Sequence, residues 1–318
     1  MTATLHQLLP GICVIERGWL NCNQIVLRSQ SENVLIDSGY GRHVAATLRY
    51  VDSALADQHK NIDRLINTHC HSDHMGGNAA LKAHYDCRIT IPVGEVKHLY
   101  PWSEESCGAK MMDHYVDAFE FDDTIAPEDH FSAGGLDWVA HAAPGHDMDA
   151  LMFYCDEARI LITGDALWHI KHGGMGLVWP HIDGATGRNA NIDAALETLD
   201  QIEKLNPRIV IPGHGVPFDE VQHSIDGLRK RLDAFVAAPE KNARHVVKAL
   251  FVFALLDKAH MRQSDLPGYL ASVPIYRDLN EQFLRVSFDD LAMRIVGELN
   301  AAGAIQVADG VMRATMRA

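Results

Sequence analysis

The sequence predicts an α/β protein in which two β-sheets are covered by helices over residues 1–238, followed by a smaller, mainly helical domain over residues 239–318. Three observations carry this expectation. Short apolar runs recur along the first part of the chain and end in glycine-bearing turns, as strands do. Segments with helical spacing separate and follow them, an order expected of sheets packed under helices. After Pro239 the strand-like runs give way to long helical patterns. At 318 residues and 47% hydrophobic content the chain is long enough for two domains with sizeable cores.

Taken in order, residues 10–45 alternate strands and turns, beginning with Gly11-Ile12-Cys13-Val14-Ile15-Glu16 and including Asn33-Val34-Leu35-Ile36, which ends at Asp37. Ile62–Asn67 alternates as a half-buried strand does. Directly after it, Thr68-His69-Cys70-His71-Ser72-Asp73-His74 packs three imidazoles and a carboxylate into six residues. On a strand end, His69 and His71 share one side and Cys70 takes the other, because side chains alternate with period two. Asp73 and His74 then lie on the turn, so the group reads as metal ligands split between two ions. Met75-Gly76-Gly77-Asn78 opens a short helix ending near Tyr85.

Met112, Tyr115, Val116 and Phe119 recur at i, i+3, i+4 and i+7 within residues 110–121. That spacing predicts a helix packed on the core or on a second copy, or closing over the site as an apolar lid. Three further runs each end in a turn bearing one metal-capable side chain. Trp138–Ala143 leads to Pro144-Gly145-His146, Arg159–Ile162 to Thr163-Gly164-Asp165, and Arg208–Ile211 to Pro212-Gly213-His214-Gly215. Glycine permits the unusual angles and close approach such turns need. An isolated histidine is more often a hydrogen-bonded core residue, but chance does not place donors at successive strand ends. The loop from Trp168 to Arg188 holds His169, His172, Trp179 and His181 and follows Asp165, which places part of it near the site. It offers candidates for an oxyanion donor or leaving-group acid without singling one out.

Val221, Ile225, Leu228, Leu232 and Phe235 mark an amphipathic connecting helix. Further helices are expected over residues 245–259 and 288–302, and a hairpin over 305–312 with Asp309-Gly310 at its turn. Helices followed by a short hairpin resemble a winged-helix module. A nucleic-acid role for it is disfavoured, because the 289–302 helix sets Arg294 alone against Asp289, Asp290 and Glu298. A lid or dimer surface walling the site is the reading preferred.

Imidazoles and carboxylates suit zinc, and also iron or manganese, with no thiolate in the set. Six cysteines (Cys13, Cys22, Cys70, Cys87, Cys107 and Cys155) show no C-x-x-C spacing and read as reduced. The N-terminus lacks a basic region and long apolar core, and no run approaches the ~20 apolar residues of a membrane span. A cytoplasmic location with no membrane partner is therefore expected. The net charge is −14, and residues 241–318 carry ten Lys/Arg against eight Asp/Glu, so the negative excess lies on residues 1–240. Such a domain is a poor electrostatic funnel for nucleic acid, and the expected partner is a small-molecule substrate. A homodimer is left open.

Together His-x-His-x-Asp-His at residues 69–74, His146, Gly164-Asp165 and Gly213-His214 resemble the metallo-β-lactamase superfamily over roughly residues 10–220. The resemblance implies an αββα sandwich and two divalent metal ions. By it, His69, His71 and His146 would hold one ion, Asp73, His74 and His214 the other, and Asp165 would bridge them. Asp37 matches a strand-end aspartate that supports the site, and Asp147 is a candidate orienter of a ligand imidazole. A metal-bridging hydroxide would attack a carbonyl without a protein nucleophile, and Asp73 would pass a proton to the leaving group. The resemblance to glyoxalase-II-like thioesterases makes a carboxylic thioester or ester the expected substrate. His71 is not the glutamate of di-iron flavoproteins, and Asp165 is a carboxylate true β-lactamases lack. Trp168 stands where homoserine-lactone lactonases carry tyrosine, which weakens a lactonase reading. Alternatives are a phosphodiesterase or ribonuclease, since an endoribonuclease branch carries a winged-helix-like module, an iron-dependent persulfide dioxygenase, and a metal-stabilised scaffold without catalysis.

Overall fold

The computed structural model describes residues 3–18, 21–55, 59–180 and 189–315. Its first sheet has seven strands in sequence order: β1 (Thr4–Leu9), β2 (Ile12–Glu16), β3 (Gln24–Arg28), β4 (Asn33–Ile36), β5 (Arg64–Ile66), β6 (Arg88–Pro92) and β7 (Asp123–Ile125). β1 to β4 are antiparallel, and β4 to β7 run parallel. The second sheet is ordered β12-β11-β10-β9-β8, with β8 (His130–Ala133), β9 (Leu136–Ala142), β10 (Leu151–Cys155), β11 (Ile160–Gly164) and β12 (Ile209–Pro212).

Alternation along the strands builds four layers. In β4, Val34 and Ile36 enter the core shared with Phe153, Ile160 and Ile162 of the second sheet, while Leu35 faces the opposite way. Leu35 meets α1 (Val44–Ala54) and α3 (Asn78–Tyr85) through Val51 and Leu81. In the second sheet Met152, Leu161 and Val210 face outward onto α6 (Ala190–Leu205) and α7 (Val221–Ala237). Strands buried on both faces read as continuous apolar runs, which is why β10 and β11 are buried throughout. The expected αββα sandwich is present.

Strand direction fixes where the loops gather. β4 and β5 are parallel, as are β11 and β12, and β9 runs with β11 because each is antiparallel to β10. The carboxyl ends of β4, β5, β9, β11 and β12 are the strand ends that carry Asp37, residues 68–74, His146, Asp165 and His214. Leu151 N–H to the Thr68 carbonyl (2.8 Å) and Asn23 N–H to the Gly213 carbonyl (2.6 Å) join the two sheets at that edge.

Three short helices fill the first sheet's connections: α2 (Ser72–Met75), α4 (Val96–Leu99) and α5 (Ala109–Met112). The stripe expected over residues 110–121 is not a helix. α5 stops at Met112 because Asp113 takes the left-handed conformation (φ 55°), and an irregular chain follows. Val116 and Phe119 still pack on the first sheet's outer core, so the apolar spacing reflects burial without helicity.

The C-terminal region holds α8 (Pro239–Lys258), β13 (Met261–Arg262), α9 (Leu266–Ser272), α10 (Pro274–Leu279), α11 (Phe288–Ala301), β14 (Ile305–Ala308) and β15 (Val311–Ala314), with the strands ordered β13-β15-β14. Asp309 and Gly310 both take positive φ at the β14–β15 turn, as a two-residue hairpin of this type requires. This region has its own apolar core, onto which Tyr40, Met112, Leu177 and Trp179 of the first part also pack. Arg42–Asp257 (2.8 Å) and Lys258–Asp113 (2.7 Å) ion pairs tie α8 to the sandwich. Among the described residues no helix is long and apolar enough to cross a membrane.

Candidate metal centre

All seven side chains singled out in the sequence meet at the shared edge. Candidate ligand atoms of His69, His71 and His146 lie within 4.8 Å of one another, and so do those of Asp73, His74 and His214. Asp165 stands between the groups and turns one oxygen to each. Its Oδ2 is 3.3 Å from His146 Nε2, while its Oδ1 is 3.2 Å from His74 Nε2 and 3.6 Å from His214 Nε2. Asp73 Oδ2 lies 3.2 Å from His214 Nε2. The loops come this close because glycine leaves room: a Cβ on Gly213 would collide with the Asp165 carboxylate, and one on Gly176 with the His146 ring.

Hydrogen bonds behind the rings fix their tautomers. His146 Nδ1–H donates to the Leu177 carbonyl (2.6 Å), and His74 Nδ1–H to Asp37 Oδ2 (2.8 Å). Thr68 Oγ1–H also donates to Asp37 Oδ2 (2.8 Å) and so accepts from His69 Nδ1–H (3.1 Å). The Nε2 atoms of all three rings therefore present lone pairs inward. His71 is turned the other way, its Nε2 3.4 Å from Asp147 Oδ2 and its Nδ1 2.8 Å from His146 Nε2. Asp37 thus hydrogen-bonds the His74 ring, and Asp147 lies beside His71, where the sequence offered it as a candidate orienter.

This arrangement fits a divalent metal. His69 Nε2 is buried without a hydrogen-bond partner. His71 Nδ1 and His146 Nε2 form a 2.8 Å hydrogen-bonded pair, and both rings offer an atom to the cluster they share with His69. Burial and the neighbouring His74 and His71 rings hold His69 well below the ordinary imidazole range, and burial and His146 push His71 down to about 4. Burial works the same way on His74, but Cys22 and the carboxylates of Asp165, Asp37 and Asp73 outweigh it and lift the ring well above that range. The negative charge that would hold a proton on His74 is equally a demand for a metal cation. Burial would raise Asp73 and Asp165, yet His74 and His214 outweigh it and keep both carboxyls ionised.

Cys70 behaves as period two requires: its thiol is buried in the first sheet's outer core and its N–H donates to Glu95 Oε1 (2.9 Å). Of the loop histidines, His169 accepts from Lys171 N–H and stacks edge-on to Phe218, and His172 packs beside Gly215. His181 lies outside the described residues, as does Arg188. From that loop Leu177 and Trp179 reach the cavity above the site, and Trp168 donates from Nε1 to Asp165 Oδ1 (3.2 Å).

Several residues near the site were not singled out in the sequence, among them Tyr40, His114 and Glu95. Tyr40 follows Asp37 in the loop after β4 and lines the cavity, a signal visible as another strand-end loop. His114 lines it too, with Nδ1 2.8 Å from Ser72 Oγ, but the helical pattern seen over 110–121 concealed it. Glu95 is buried beneath Cys70, and burial with the nearby Asp147 pushes its carboxyl up to about 8. A lone glutamate directly after an apolar strand was the clue.

Residues 17–214 match the family model for the metallo-beta-lactamase superfamily. An atrochrysone carboxyl ACP thioesterase of Aspergillus fumigatus is 28% identical over 204 residues, 64% of this chain and 53% of that protein. A beta-lactamase-like protein 2 homolog of Caenorhabditis elegans is 22% identical over 72% of this chain and 65% of its own length. A hydroxyacylglutathione hydrolase of Brucella anthropi is 27% identical over 49% and 54%. The matched segment thus spans between about half and just under two thirds of these relatives. The fold is shared with a metallo-beta-lactamase family protein of Thermus thermophilus at a TM-score of 0.59 and 18% identity, covering 96% of this chain and 99% of that one. With the family model spanning more than half its length, the chain belongs to the metallo-beta-lactamase superfamily, and its ligand-type side chains assemble at one sheet edge.

Proposed function

We propose that the protein hydrolyses a carboxylic thioester or ester with two divalent ions, zinc being the ion expected and iron or manganese the alternatives. The observation that carries this reading is a cavity of about 390 Å³ whose floor is the two ligand clusters and whose walls are chiefly apolar. Among the described residues no lysine or arginine lines it, which disfavours a phosphodiester and favours an uncharged acyl group. The thioesterase and hydroxyacylglutathione hydrolase relatives point the same way.

In this reading His69, His71 and His146 would hold one ion and Asp73, His74 and His214 the other, with Asp165 placed between the two groups. When bound, the ions lower the pKa of water and neutralise charge developing on a carbonyl oxygen. The protein's own groups do the remainder. Asp37 receives hydrogen bonds from His74 and Thr68 and thereby ties the loop after β4 to both ends of the ligand-bearing segment 68–74. Asp73 lines the cavity and is the carboxylate placed to take a proton from water and return it to the leaving thiolate or alkoxide. Tyr40 and His114 add a hydroxyl and a ring to the cavity wall, so lactones remain within the substrate range despite Trp168. The C-terminal order of helix, strand, helices and hairpin fits a winged-helix-like module, read here as a wall of the site. The two domains proposed are residues 1–238 and 239–318, and the separate apolar core of the C-terminal region supports that division. Six free thiols suit a reducing, cytoplasmic setting.

Metal-loaded protein and its Asp165→Asn variant, assayed on thioesters, esters, lactones and phosphodiesters, test the reading. Turnover of acyl substrates that falls by at least about 100-fold in the variant is expected. Turnover confined to phosphodiesters would overturn it, and silence with one iron per chain would favour the dioxygenase.

A further inference from the structure

We propose that the C-terminal region forms an acyl pocket, which binds the apolar acyl group of the substrate and sets the chain length hydrolysed. This deepens the hydrolase reading and depends on it for the floor of the pocket. Val246, Leu250 and Phe253 line the cavity from one face of α8, at i, i+4 and i+7, and Ile275 joins them from α10. Met111 and Trp179 close the cavity from the sandwich.

The wall is fixed, because three of its residues also belong to the C-terminal core: Val246, Leu250 and Ile275 are 1%, 5% and 3% exposed. Asn242 Nδ2–H to the Val178 carbonyl (3.1 Å), with the ion pairs at Asp257 and Lys258, sets the position of α8 over the floor. A cavity of about 390 Å³ accommodates a medium-length aliphatic or a bulky aromatic acyl group. An anionic carrier finds no counter-ion on these walls among the described residues, so the acyl half of the substrate is the half that occupies them.

Two measurements test this on the full-length protein. The first is kcat/KM for a thioester series from acetyl to decanoyl. A rise of about fourfold per methylene is expected until the pocket fills, the factor that corresponds to ~0.8 kcal/mol per buried CH₂. Leu250→Phe should move the optimum to shorter chains and Phe253→Ala to longer ones. Met111→Phe is a second filler from the opposite wall, at a residue exposed enough (38%) not to threaten the fold. The second is quenching of Trp168 and Trp179 fluorescence by methyl ketones from pentyl to undecyl, which reports binding without turnover. Tighter binding of longer ketones, reversed by the fillers, supports the pocket even where no thioester is hydrolysed, in which case the hydrolase reading alone falls. Hydrolysis with a flat chain-length series, or an optimum unmoved by all three substitutions, overturns the pocket and leaves the hydrolase standing.

Discussion

His69, His74 and His146 each commit Nδ1 to a partner behind the ring and leave Nε2 facing the site. The chemistry therefore depends on residues that never touch substrate. Asp37 is the most connected of them, and Asp37→Ala is expected to lower metal affinity about 10–100-fold with the fold retained, measured by competition with a metallochromic chelator. Unchanged affinity would show that the ligands orient themselves. The candidate ligand residues stand out in the sequence because His69, His71, Asp73 and His74 crowd one segment after a strand while His146, Asp165 and His214 each sit on a glycine-bearing turn, and Asp147 because it adjoins one. Tyr40 and Glu95 follow strands and left a signal that was not taken up, whereas the contact of His114 with the site follows from how loops cross in space. No spacing pattern links His114 to Ser72, 42 residues away.

At the scale of elements, α3, α7 and α11 were expected from the sequence, whereas α1 and α6 were not singled out despite their length. α7 and α11 follow their apolar spacing, whereas α9 and α10, of seven and six residues, are too short to display a period. The stripe at 112–119 misleads for a stated reason: burial imposes apolar residues on an irregular chain as it does on a helix. Caps make separate predictions. Asn189 Oδ1 accepts from the N–H groups of Asn191 and Ile192 at the start of α6, so Asn189→Ala should cost about 1 kcal/mol in denaturant unfolding. Where α7 meets α8, His245 Nε2 accepts from Arg231 (2.8 Å), and burial with Arg231 and Lys248 pushes its pKa down to about 3. The folded state therefore keeps this ring neutral while the unfolded chain protonates it near its ordinary value of 6.5. The contribution is intact above pH 6.5 and is lost as pH falls from there toward 3. His245→Phe should flatten that part of the stability curve; an unchanged slope would mean that the ring titrates normally.

For the whole molecule, the sandwich was legible and the C-terminal region was expected as a wall of the site or a dimer surface, but the residues it presents to the cavity were not legible. Alternation in β4, β10 and β11 announces sheets covered on both faces, but nothing in α8 tells which face meets which cavity. The placement matters because one apolar face of α8 serves both the C-terminal core and the cavity above the candidate metal site. The central claim is a two-ion hydrolytic centre bridged by Asp165. It is tested most directly by measuring bound metal per chain and thioester turnover together, in the wild type and in Asp165→Asn. The account predicts two ions and turnover in the wild type, with weakened loading and loss of turnover in the variant. One ion in the wild type, or a variant that keeps both ions and full turnover, would contradict it.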